Sequence, residues 1–104
     1  MNTNALIAAA RFHTLAATAA ANGGFWVSAG GGTANVVAGE IARATGASFE
    51  EAHRALSVTG GEDWYSSLAY AQPWAIDAWH DDVPGRWDAR TIARAACRPV
   101  LVAA

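Results

Sequence analysis

A chain of 104 residues fits one domain with a modest core, so residues 1–104 are read as a single helical domain. Its 53% hydrophobic content overstates that core, because alanine is the commonest residue; it buries little area and favours helix. A net charge of −2 argues against a global basic field for nucleic acid, and the single Cys97 excludes an internal disulfide and points to a reducing, cytoplasmic compartment.

Residues 2–21 read as a first helix. Thr3 or Asn4 caps it. Leu6, Ile7, Ala10, Phe12, Leu15 and Ala19 supply its apolar side, with Arg11 and His13 toward the other. Asn22, Gly23 and Gly24 stop it. ALIAAA, ahead of Arg11, is too short an apolar run for a secretory leader. The uncharged run from Thr14 to Gly39 is interrupted by Gly, Asn, Ser and Thr, so no membrane span is expected.

Residues 25–37 allow two readings. FWVS and TANVV can form a short hairpin around Gly30-Gly31-Gly32. Alternatively the glycines form a loop into a helix starting near Thr33, which is favoured because an isolated two-stranded hairpin is marginal. The loop lacks the lysine and spacing of a phosphate-binding P-loop. The second helix then runs to Thr45, with Val36, Val37, Ile41 and Ala44 inward, and Gly46 ends it.

Ser48-Phe49-Glu50-Glu51 has the spacing of a capping box, with Ser48 as N-cap and Glu51 three positions on. The third helix extends to about Leu56 and buries Phe49, Ala52 and Leu56. Asp63 can cap a fourth helix beginning at Trp64, with Leu68 and Ala71 in phase.

The densest stretch is Gln72 to Arg98, which holds three of the five Trp and four of the seven Arg. Trp74, Ala75, Ala78 and Trp79 fall on one face of a helix from about Pro73 to Asp81. Val83-Pro84-Gly85 is a turn. Asp88 can cap a closing helix that ends by Arg98, because Pro99 follows. The fold expected is all-α: a small bundle of four or five short helices packed on Trp64, Trp74, Trp79, Phe49, Leu56, Leu68 and Ile92.

Three patterns bear on chemistry. IARATGASFEEAHRAL, Ile41 to Leu56, resembles the helix-turn-helix of the LacI-type repressors: Ala42, Gly46 at the turn, Ser48 opening the second helix, an apolar position at Ala52. That resemblance implies DNA contacts from Ser48, His53 and Arg54. Ala47 and Ala52 stand where larger aliphatics usually pack, and Glu50 and Glu51 face where phosphates would lie. Ile76-Asp77-Ala78-Trp79-His80-Asp81 resembles an Ile-x-x-Trp-Asn-Asp motif in an uncharacterised family of small helical proteins from actinobacteria and their phages, with His80 in place of Asn. It implies a helical domain, a phage origin among the options, and no known activity.

Asp77, His80 and Asp81 share a helix face at spacings that suit a divalent metal, although no second ligand pair accompanies them. The commoner explanation is a solvated acidic turn. Arg90, Arg94 and Arg98 line one helical face beyond Arg86, and pairing with Asp77, Asp81, Asp82 and Asp88 is the expected fate of these cations. Cys97, on the same helix, reads as a buried structural thiol.

The function that follows is non-enzymatic: a small intracellular interaction protein, binding a protein partner or itself through Trp87, Arg86, Arg90 and Arg94. Nucleic acid and membrane are not expected as partners, and no cofactor is implied. A helix-turn-helix regulator is the alternative, and a metal-dependent hydrolase at Asp77, His80 and Asp81 stands third.

Overall fold

The structure is a computed structural model that describes residues 2–21, 25–26, 32–65 and 87–103, with side chains for 2–18, 34–65 and 89–98. Helix α1 covers Thr3–Ala21, α2 Gly32–Thr45, α3 Phe49–Gly60 and α4 Ala89–Ala103. The architecture is a small all-α bundle. Two short strands, β1 (Phe25–Trp26) and β2 (Trp87–Asp88), pair in parallel, Phe25 with Trp87 and Trp26 with Asp88. The glycine stretch therefore leads into a helix at Gly32, and the hairpin alternative is excluded: Phe25 and Trp26 pair with a distant strand, while residues 33–37 are helical.

The N-cap of helix α1 is Asn2, one residue before Thr3 and two before Asn4, the two expected caps. The Asn2 side-chain oxygen accepts from the Ala5 amide at 3.0 Å, and its amide group donates to the Thr45 carbonyl at 3.2 Å. One side chain thus caps α1 and ties it to the end of α2.

The buried face of α1 is Ala5, Ala8, Ala9, Phe12 and Ala16, while Ile7 and Ala10 are exposed. Small residues let α3 and α4 approach the α1 backbone closely, so the alanines go in and the larger Ile7 stays out. Both residues expected on the outer side make cross-helix bonds. Arg11 Nε donates to the Ala96 carbonyl at 3.2 Å and His13 Nε2 to the Leu56 carbonyl at 2.9 Å.

In α2 the core residues are Val37, Ala38 and Ile41. Gly46, at φ 76°, ends the helix in the left-handed region that glycine enters without a Cβ clash. The capping box forms as its spacing requires. Ser48 Oγ accepts from the Glu51 amide at 3.1 Å, and Glu51 Oε1 accepts from the Ser48 amide at 3.2 Å.

Helix α3 buries Ala52, Ala55 and Leu56 and runs a turn past Leu56 to Gly60. Thr59 Oγ1 bonds the Ala55 carbonyl at 2.7 Å, and the Gly61 amide, at φ 93°, closes the end on Ser57. Phe49 is 47% exposed rather than buried. It occupies the first turn, ahead of the buried run, and rests edge-on against His53.

Trp64, 6% exposed, is helical together with Tyr65, the last described residue of this stretch. Its ring meets Phe12 and His13 edge-on, with centroids 5.5 and 5.2 Å away. Trp74, Trp79 and Leu68, expected with it in the core, lie outside the described residues.

Helix α4 does not stop at Arg98. It continues through Pro99 to Ala103, and its buried residues are Ala89, Ile92, Ala93, Ala96 and Cys97. Proline removes the one bond its N–H would make to the Ala95 carbonyl. The apolar face upstream, packed on α1 and α2, outweighs that loss. Among the described residues, no helix is long and apolar enough to cross a membrane.

Candidate functional site: an arginine-edged groove between α2 and α4

Helices α2 and α4 lie side by side in the bundle. The contact joins three charged residues far apart in sequence. Glu40, on α2, receives Arg94 Nε at 3.3 Å and Arg90 Nε at 3.6 Å. The carboxylate side chain is only 11% exposed, against 54% and 58% for the two arginines. Helical spacing explains the double contact: Arg90 and Arg94 are four apart, so both guanidiniums reach one point on the neighbouring helix. Each approaches through Nε, and a guanidinium carries further N–H donors on its terminal nitrogens.

A groove of about 360 Å³ opens beside this triad, lined by Glu40, Arg43, Ala44, Arg94 and Cys97. Cys97 is buried, and its thiol lies 4.0 Å from the Glu40 backbone carbonyl. Burial, reinforced by the Glu40 charge, pushes the thiol up to about 11. That makes Cys97 an inert wall rather than a nucleophile at neutral pH.

Arg90 and Arg94 thus have a described partner in Glu40; Asp77, Asp81 and Asp82, the partners expected from sequence, lie outside the described residues, and Asp88 is described in its backbone alone. Glu40 and Arg43 were not legible as site residues. The Arg periodicity of α4 is visible in the sequence, yet nothing local says which α2 residue it meets. Trp87 lies in β2, paired through its backbone with Phe25. Arg86 and the candidate metal ligands Asp77, His80 and Asp81 lie outside the described residues. Among the described residues, no group of three His, Cys, Asp or Glu is placed to hold a metal.

The stretch from Ile41 to Leu56 does form two helices joined by Gly46, Ala47 and Ser48. Of its three candidate DNA contacts, Ser48 has its hydroxyl on the Glu51 amide. His53 Nε2 donates to Asn35 Oδ1 at 3.1 Å, bracing α3 against α2. Arg54 is exposed and has no described partner. The outward side of α3 also carries Glu50, Phe49 and Val58, so a single arginine stands among carboxylates and apolar groups. Comparison with known protein families, with curated proteins and with solved structures returns no match for this chain.

Proposed function

We propose that the chain is a non-enzymatic, intracellular interaction protein that binds a protein partner through the arginine edge of α4. The observation that carries this reading is the placement of Glu40 between Arg90 and Arg94. A mostly buried carboxylate holds two largely exposed guanidiniums in fixed positions. Ordering long side chains costs about 0.5–1.5 kcal/mol each on binding, and this arrangement meets part of that cost beforehand. Arginine and tryptophan are also enriched where interfaces concentrate their energy, and Trp87 directly precedes α4.

The test is capture from the chain's own cell extract, comparing wild type with Arg90→Glu/Arg94→Glu, followed by reconstitution with the purified partner. Loss of one defined partner in the charge-reversed variant supports the reading. An unchanged partner set overturns it. Sedimentation of the purified protein distinguishes a second copy from a different partner.

A helix-turn-helix regulator is the second reading, favoured by the three-residue connection between α2 and α3. Glu50 and Glu51 at the start of α3 oppose it, because phosphate contacts are made there by cations and amides. No duplex binding is expected near physiological salt. Tight, sequence-selective and salt-sensitive binding, lost on Arg54→Ala, would promote this reading.

A further inference from the structure

We infer that the groove between α2 and α4 is a docking site for an acidic peptide segment of a partner, one that places a carboxylate on Arg43 and Arg94 and a small apolar side chain against Ala44 and Cys97. This rests on the proposed interaction role and names the chemistry of the occupant.

Charge complementarity is the first argument. Arg43 and Arg94 line the groove with the single carboxylate of Glu40, leaving one formal positive charge there in a chain whose net charge is −2, and Arg90 adds a second guanidinium against that same carboxylate. Arg43 is exposed and has no described partner, and it lines the groove opposite Arg94. Arg98, also exposed, extends the cationic edge one turn further along α4. Guanidinium pairs with carboxylate through two parallel N–H donors, and the Arg94 side chain, although its Nε lies 3.3 Å from Glu40, is 58% exposed.

Size and lining supply the second argument. A volume of about 360 Å³ is at the small end of ligand sites, room for one or two side chains rather than a whole cofactor. Ala44 and the protonated Cys97 thiol give it an apolar wall. A phosphodiester chain has no apolar group to place against that wall. A peptide that alternates acidic and apolar residues satisfies both features.

The experiment is fluorescence anisotropy of a labelled peptide alternating Glu and Leu, titrated with the full chain at low and at physiological salt. The analogue with Lys for Glu and a single-stranded oligonucleotide of similar length are the comparison probes. We expect the acidic peptide to bind and the lysine analogue not to. Arg43→Glu and Arg94→Gln should each weaken binding about tenfold or more. Ala44→Trp, which fills the groove without changing charge, should do the same, with circular dichroism verifying its fold. Arg43 is exposed, so its variant stays informative if Ala44→Trp misfolds.

Failure of the wild type to bind the peptide, while partner capture still depends on Arg90 and Arg94, overturns this inference and leaves the broader role standing. Binding indifferent to Arg43→Glu, or tighter binding of the oligonucleotide, also overturns it.

Discussion

His13 donates its Nε2 hydrogen to the Leu56 carbonyl at 2.9 Å, pinning α1 to α3 beside the ring of Trp64. Burial holds this imidazole below its ordinary value of 6.5, with the Leu56 bond opposing in part. The folded state therefore favours neutral His13, and the unfolded chain takes up the proton first as pH falls. This contribution to stability is complete above 6.5 and is lost as pH drops below that value. Thermal melts should show the midpoint falling from about pH 6.5 toward pH 5, with a shallower fall in His13→Gln. Identical slopes for both proteins would place His13 outside the linkage.

The same contact makes Gly60 intolerant of a side chain. A Cβ added at Gly60 would collide with the His13 ring. The ring is packed between Phe12 and Trp64, so it has little room to yield. Gly60→Ala should destabilise by about 1–3 kcal/mol despite alanine's better helix propensity. Chemical denaturation checks this, and a gain in stability would show that His13 moves aside freely.

Trp64 lies in the core, as its sequence reading expects, while Trp74 and Trp79 lie outside the described residues. It is 6% exposed and contacts Phe12, His13 and Tyr65. Trp64→Ala should cost about 3–5 kcal/mol, a large share of the stability of a domain this small. Near-native denaturation of that variant would mean the α1–α3 interface does not depend on it.

Ser48→Ala removes one half of the capping box and leaves the Glu51 amide without its acceptor. The expected cost is about 1 kcal/mol, read as a lowered melting midpoint. Ser48→Asp should retain most of the stability, because its carboxylate accepts from the same amide and favours the positive end of the helix.

Pro99 sits inside α4 and cannot donate to the Ala95 carbonyl. Arg11 supports the same turn by bonding the adjacent Ala96 carbonyl. Pro99→Ala should restore the missing bond and stabilise by about 1–3 kcal/mol, seen as a higher midpoint and greater helical ellipticity. A drop in either would show that the proline sets a bend that the packing needs.

Local rules were sufficient wherever a few adjacent residues carry the physics. The Ser48–Glu51 box, the Gly46 stop, the helix beginning near Thr33 and the burial of Leu56 and Ile92 all follow from spacing, propensity and caps read in sequence. The α1 cap and the inward face of α1 did not follow. Asn2 was selected because Thr45 lies within its reach, and an alanine face won because α3 and α4 pack closely there. Pro99 was read as a terminator, yet the buried stripe of α4 carries the helix past it. Phe49 was read as core by its hydrophobicity, but its place in the first turn leaves it outside. The candidate groove shows the same division. The four-residue spacing of Arg90 and Arg94 is a property of the sequence, whereas Glu40 and Arg43 join them only because α2 packs alongside α4. Side-chain hydrophobicity and helical period are local quantities; which helix covers which face is settled by the packing of the whole chain, and there the site was made.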